Sequence, residues 1–251
     1  MTNAELNRRL LANVIAFRHV QRERGGLEWW SLPGVDVFSL RAHPRVYYFQ
    51  QVYFSDTGAL AAALPQVREF FRGLGVPMWR VVVLPGNPEA EALLASAGYQ
   101  ADPPVDAMGL ELAETPDVPP SIPLVAPQTL EDLVAINAAT WDPAWASLLD
   151  VWLKPPRVPV HTLVAREAGR PLSCGFTLDV GDTAGVYMVA TASEGRGRGL
   201  GTEVMRGLLA GARARGMKAS VLQATAMAVP MYRRLGYRDL GAWGSWVYRG
   251  A

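Results

Sequence analysis

The residues best placed to do chemistry fall between Val186 and Tyr237. Here Glu194-Gly195-Arg196-Gly197-Arg198-Gly199-Leu200-Gly201 stands between an apolar strand pattern and an apolar-faced helix pattern. Glycines let successive backbone N–H groups turn toward one point without Cβ obstruction, and the N-terminus of the following helix adds its positive dipole end. The product is an anion cradle suited to a pyrophosphate, with Arg196 and Arg198 able to add charge-assisted contacts to phosphate oxygens. Spacing separates the phosphate motifs that compete for this turn. A Walker loop needs Gly-Lys-Ser/Thr, and no lysine stands between His161 and Met217. The dinucleotide fingerprint needs a glycine where Leu200 or Thr202 stands, so it fails too. A plain strand-to-helix turn or an RGG-like nucleic-acid patch are the other uses of such a segment. One short basic repeat in a chain of formal net charge +1 is poor support for the patch.

What fits is R-x-x-G-x-G, as Arg196, Gly199 and Gly201, which resembles the pyrophosphate loop of the GNAT N-acetyltransferase superfamily. A second segment keeps the family's order, with Thr225, Ala228, Met231-Tyr232 and Leu235-Gly236-Tyr237 at the positions of asparagine, alanine, tyrosine and Gly-Phe. The departures are Thr225 for asparagine, Tyr237 for phenylalanine, and Thr191-Ala192-Ser193 where Val-x-Pro is frequent. The similarity covers roughly residues 122 to 250. It implies acetyl-coenzyme A as cosubstrate, bound by Val189, Ala190, Thr191, Arg196, Gly197, Arg198, Gly199, Leu200, Gly201, Thr202, Thr225, Ala228 and Tyr232. It implies direct attack by an amine of a small molecule or peptide in a ternary complex. Tyr232 matches the tyrosine that protonates the departing sulfur, and an N–H at Val189 or Ala190 would polarise the acetyl oxygen. A core tyrosine on an amphipathic helix is the other reading of Tyr232, against which the motif spacing weighs.

The general base is the gap. Relatives carry a carboxylate five residues before the asparagine position, and here that site is Ser220. The remaining carboxylates near the expected mouth are Asp142, Asp150, Asp179 and Asp182, of which Asp182 sits in a hairpin turn. Asp142 is taken as the catalytic candidate because the loop between the first two helices borders the acceptor site in the family. A relay of waters to solvent would serve as well. The missing strand carboxylate keeps a second reading open, that of a catalytically weak acyl-coenzyme A sensor or interaction module.

The elements that must position these residues can be read along the chain. Five prolines between Glu114 and Pro127 (Pro116, Pro119, Pro120, Pro123, Pro127) forbid helix and mark an extended connector, which puts a boundary between domains at 1–115 and 122–251. After it, Thr129 and Asp132 cap a helix to about Thr140, and a second helix is expected around Trp145 to Leu153. Strands follow at His161–Arg166, Leu172–Val180 and Val186–Thr191. Then come a helix from about Gly199 to Arg215, a strand Ala219–Gln223, a helix Met227–Leu235 and a strand near Ser245–Tyr248. This is an α+β order with one parallel crossover.

The first half repeats the end of this pattern. Ala97-Gly98-Tyr99-Gln100 matches Leu235-Gly236-Tyr237-Arg238 at an offset of 138 (236 − 98), with a strand and a helix before each. A shared helix C-cap is the simpler cause of such a match, but strands and helices keep order throughout. The expected architecture is tandem GNAT-like domains, each a mixed, mostly antiparallel sheet flanked by helices, the first a degenerate copy. It lacks the loop, since Gly58-Ala59-Leu60-Ala61-Ala62-Ala63 stands there, and Leu94 replaces the tyrosine. Tandem arrangements of this type occur in the superfamily.

Composition bounds the rest. Half the residues are apolar, the single Cys174 cannot make an internal disulfide, and three scattered histidines offer no zinc spacing. A reducing, cytoplasmic setting is expected, with no metal, nucleic acid or membrane partner. Leu10–Phe17 is far short of the ~20 residues a span needs. Trp29, Trp30, Trp141 and Trp145 are read as lying in irregular segments, as packing between the halves or as a wall of the acceptor cleft, with Trp141 and Trp145 as substrate residues.

Overall fold

Thr2 opens the first helix as a capping residue, its Oγ1 accepting the Glu5 N–H at 3.2 Å. Helix α1 (Asn3–Glu23) buries Leu6, Leu10, Val14 and Phe17 along one face. The computed structural model describes residues 1–23, 26–140 and 160–250. The backbone divides into two compact units, one of Met1–Arg24 with Ala107–Leu240 and the other of Gly25–Asp106 with Gly241–Ala251.

The first unit holds β5 (Gln100–Glu111, from Ala107 onward), β6 (Leu124–Val125), β7 (Val160–Glu167), β8 (Arg170–Val180), β9 (Thr183–Thr191) and β10 (Ala219–Ala224), in the order β5-β10-β9-β8-β7-β6. β6, β7, β8 and β9 pair antiparallel in sequence, and β9 with β10 is parallel. The proline-rich connector supplies the two-residue edge strand β6, a place where prolines cost no ladder bond. α4 (Glu131–Thr140) and α1 share one core with Val164, Cys174, Phe176 and Leu178. α5 (Leu200–Ala214) and α6 (Val229–Arg234) share another with Ala165, Ala184, Val186 and Leu222. Strand alternation explains the division, since Val164 and Ala165 point to opposite faces.

The second unit holds β1 (Glu28–Leu32), β2 (Val35–Ser39), β3 (Gln51–Phe54), β4 (Met78–Val83) and the later part of β11 (Arg238–Arg249), in that order. β3 with β4 is its parallel pair, and the others are antiparallel. α2 (Thr57–Gly73) and α3 (Pro88–Ser96) cover one face through Leu60, Val67, Phe71 and Leu94. Both units thus have the expected mixed, mostly antiparallel character.

The units do not follow the break at the connector. α1 belongs to the first because Asn13, fully buried, donates to the carbonyl of Leu178 at 3.0 Å and accepts from the Tyr187 hydroxyl at 2.7 Å, while Phe17 stacks on Tyr187. Gly185 makes room for this, since a Cβ there would strike Asn13. Burial of an apolar helix face chose the partner, and that choice is invisible to a local composition shift. Trp29 and Trp30 also differ from expectation: they lie on β1, with Trp29 Nε1 donating to Asp36 at 2.9 Å and Trp30 stacked on Phe70. A 3₁₀ turn at Tyr47–Phe49 precedes β3, which starts at Gln51. Among the described residues no helix is long and apolar enough to cross a membrane, and no cluster of metal-ligating side chains occurs.

Candidate active site

β9 and β10 start side by side and then part. Their register runs only from Thr183↔Ala219 to Gly185↔Val221, although β10 continues to Ala224 and β9 to Thr191. Beyond Gly185 the register of β9 with β10 is not continued among the described residues, and extended amides such as a pantetheine arm could pair along that edge. On its other edge β9 carries a bulge. Cys174 pairs with Ala190 and Phe176 with Tyr187, so Met188 and Val189 together oppose Gly175. Gly175 permits this because a Cβ would stand 3.0 Å from the Val189 side chain.

The bulge puts Met188 at φ 55, a left-handed conformation that costs a non-glycine residue about 1–2 kcal/mol. Asn137 of α4, 2% exposed, holds it in place. Its Nδ2 donates to the Met188 carbonyl at 3.2 Å and to the Leu133 carbonyl at 2.9 Å, with Cys174 Sγ at 3.4 Å. Two carbonyls around Nδ2 fix the amide orientation, since a flip would set oxygen against oxygen. Cys174 is sealed beneath, its thiol pushed up to about 12 by burial, and is no nucleophile.

The glycine turn closes one end of the opening between the strands. Gly197 (φ 73) and Gly199 (φ 76) both take left-handed backbone, and Gly199 caps α5 with no side chain. Gly195 and Arg196 donate to Ala192 and Ser193, and Thr202 and Glu203 to Gly199. The five N–H groups from Gly197 to Gly201 find no acceptor among the described residues. They sit at a helix N-terminus, where a row of free donors favours an anion. Arg196 lies beside them, its Nε donating to the Thr191 carbonyl at 3.3 Å.

A cleft of about 530 Å³ joins these features. Of the residues predicted to bind the cofactor, Val189, Ala190, Thr191, Arg196, Gly197, Gly199, Leu200, Gly201, Thr202, Thr225, Ala228 and Tyr232 line it. Arg198 does not. Its guanidinium forms a bidentate pair with Glu167 at 2.6 and 2.9 Å, because a neighbouring strand end offers a carboxylate. Tyr232 is 6% exposed and packs edge-on against Tyr237, yet its hydroxyl has no hydrogen-bond partner among the described residues. Burial raises its pKa to about 12, so the group stays protonated. The ring of this tyrosine thus lies in the core while the residue lines the cleft wall.

Ser220 is fully buried and bonds the Tyr237 hydroxyl at 2.6 Å, which removes it from any chemistry. Asp182 pairs with Arg9 and Lys218, and Asp179 with Arg215 at 2.6 Å; both serve structure and neither lines the cleft. Asp142, Asp150, Trp141 and Trp145 lie outside the described residues, as does the helix expected from Trp145 to Leu153. Among the described lining residues there is no carboxylate and no histidine. The sequence reading missed Asn137 and the Met188 bulge. A glycine inside an apolar strand, Gly175, was the one signal that could have pointed to the bulge.

Comparison with known proteins gives a consistent picture. The family model described as an acetyltransferase (GNAT) domain matches residues 162–239. No curated protein sequence matches the chain. A GCN5-related N-acetyltransferase from Kribbella flavida superposes with a TM-score of 0.66 at 16% identity, covering 94% of this chain and 95% of its own. A GCN5-related N-acetyltransferase from Sphaerobacter thermophilus gives 0.63 at 16%, over 100% and 95%. A tandem GNAT protein from the clavulanic acid biosynthesis pathway gives 0.65 at 15%, over 86% and 78%. At such identities the likeness is one of fold.

Proposed function

We propose that this chain, which carries a GNAT acetyltransferase domain over residues 162–239, is an acetyl-coenzyme A-dependent N-acetyltransferase acting on an amine of a small molecule or peptide. One observation carries the reading: a row of acceptor-free N–H groups from Gly197 to Gly201 stands at one end of a parted strand pair, and Tyr232 lines the same cleft. A plain turn would need neither the open strand edge nor the tyrosine.

Bound there, acetyl-coenzyme A supplies a thioester whose carbonyl carbon is open to amine attack. The N–H groups of Gly197 to Gly201 hold the pyrophosphate, and Arg196 adds charge. The edge of β9 beyond Gly185 orients the pantetheine arm. The Ala190 N–H is turned to the Cys174 thiol, which leaves the Val189 N–H in the bulge to polarise the acetyl oxygen and stabilise negative charge as it develops. Tyr232 donates its hydroxyl hydrogen bond to the departing sulfur. With the hydroxyl near 12 and a thiol near 8.5, full transfer to a free thiolate is uphill, so the tyrosine acts while charge is still building.

For the base, Asp142 remains the named candidate, with a water relay as the alternative. The unit of Gly25–Asp106 with Gly241–Ala251 is read as the degenerate copy and the unit of Met1–Arg24 with Ala107–Leu240 as the transferase domain, with Trp141 and Trp145 at the acceptor. A cytoplasmic location fits the single reduced cysteine.

Ser220, buried against the Tyr237 hydroxyl where relatives carry a carboxylate, keeps a second reading open, a sensor that binds acyl-coenzyme A without turnover. Thiol release from acetyl-coenzyme A across a panel of amines decides between them. Amine-dependent release supports the enzyme. Calorimetric binding of one coenzyme A per chain with no release from any amine supports the sensor, and no binding at all removes both.

A further inference from the structure

Arg80 stands in the middle of β4, among Met78, Trp79, Val81, Val82 and Val83, where a β-branched or aromatic residue is the ordinary choice. Trp79, Val81 and Val83 face the core under α2 and α3. Arg80 alternates to the opposite face and shares it with its register partners, Gln51 on β3 and Val247 on β11. It is 7% exposed.

A guanidinium buried to this degree normally has a carboxylate or several carbonyls around it. Among the described residues, Arg80 has no ion pair and no side-chain hydrogen bond, and its Nε is sealed from solvent with nothing to donate to. The Tyr48 ring lies 4.3 Å from the guanidinium carbon. That ring is itself held, because Gln51 Nε2 donates to the Tyr48 carbonyl and Gln51 Oε1 accepts the Tyr53 hydroxyl.

A second polar group on the same face is also unsatisfied. Ser245 pairs with Val82, so it is the diagonal neighbour of Arg80, roughly 7–8 Å away by strand geometry. Its Oγ is buried and has no partner. One orphaned group is ordinary, whereas a guanidinium and a hydroxyl side by side on one buried face call for a common explanation.

We propose that this face of the second unit binds a small carboxylate ligand, with Arg80 as its anchor, Ser245 as a second donor and Tyr48 as the flank that excludes water. A planar guanidinium offers two parallel N–H bonds to a carboxylate, and its single charge balances a single negative one. Arg249, two residues along β11 on the same face, is already paired with Asp102 at 3.5 Å, so a phosphate, at nearly two negative charges, would call for further cations. The site lies outside the transferase cleft, and its test does not depend on acetyl transfer.

Thermal unfolding of the full chain tests it, with sodium acetate, sodium succinate and inorganic phosphate compared with sodium chloride at matched ionic strength. Succinate or acetate should raise Tm by a few degrees over chloride, as binding to the folded state requires. Arg80→Met, which keeps an apolar stem and removes the guanidinium, should fold and should lose the carboxylate effect. Ser245→Ala should fold normally and weaken the apparent succinate affinity several-fold. A response to carboxylates no larger than to chloride would overturn the proposal. So would a phosphate response exceeding both carboxylates, or a carboxylate response undiminished in Arg80→Met.

Discussion

Two helices in this molecule begin just after the first strand of a parallel pair, and their N-termini are built in opposite ways. α2 follows β3 and is capped by Asp56, whose side chain accepts the Ala59 N–H at 2.8 Å. That N–H, with help from the Ser55 hydroxyl, holds the Asp56 carboxyl below its ordinary pKa. α5 follows β9 and is capped by Gly199, which has no side chain to offer. One helix end supplies its own anion; the other leaves five N–H groups for a foreign one. The topology is common to both, so what distinguishes a binding unit from a scaffold is a few residues at the turn. The helix ends that follow tell the same story of shared frame and divergent use. Gly98 and Gly236 both take positive φ, and Tyr99 and Tyr237 donate to the carbonyls five residues back at 3.0 and 3.1 Å. Yet Leu94 stands in one helix where Tyr232 stands in the other.

The sharpest way to break the contrast is to give α5 an anion of its own. Gly199→Glu places a carboxylate where the pyrophosphate would lie and forces a side chain onto φ 76. Coenzyme A binding by calorimetry should fall at least about a hundredfold, beyond detection in practice. Retained binding would mean that the cofactor sits elsewhere. Next in size is Tyr232→Phe, which makes the second helix resemble the first. It should lower kcat by roughly two to four powers of ten, the span of general acid catalysis, with coenzyme A affinity nearly unchanged. If turnover with an active amine is unaffected, the tyrosine only packs.

Much of this contrast was legible in the sequence. Glycines 197 and 199 read as backbone turned to unusual angles, the apolar strand and helix around them were placed within a few residues, and the C-cap repeat was visible as Gly-Tyr at one offset. What could not be read depends on contacts between distant segments. The direction of Arg198 was decided by Glu167, thirty-one positions away. The partner of α1 was decided by Asn13 and the β8–β9 hairpin. The bulge at Met188 needs Asn137 from α4, and nothing in the local residues Tyr187-Met188-Val189 announces it.

That bulge gives a third, smaller prediction. Asn137→Leu keeps the branched shape and removes the amide's hydrogen bonds to Leu133 and Met188, so the strained Met188 turn loses its support. Loss of a whole oxyanion donor costs a hundredfold or more, and loosening one should cost less, on the order of tenfold in kcat. Coenzyme A affinity should hold, because the glycine turn does not depend on α4. A mutant with native kcat would show that the bulge is fixed by the strands alone.

The smallest effect belongs to the closed helix end. Asp56→Ala should lower Tm by only a few degrees, as loss of one exposed cap does in a chain of this size. The loss should depend on pH with a definite sign. Asp56 is depressed in the folded state, so its charge-dependent contribution is fully present above the unfolded carboxyl value near 3.9. It disappears as pH falls through the lower folded value. The Tm gap between native and mutant should therefore be constant from pH 7 to about 5 and narrow below about 4. The mutant should also gain no affinity for coenzyme A. Removing the carboxylate frees the Ala59 N–H, but Gly58-Ala59-Leu60 offers neither the left-handed glycines nor the arginine of the other turn. If Asp56→Ala bound coenzyme A, the carboxylate cap alone would account for the difference between the two helix ends, and the glycine frame would be dispensable.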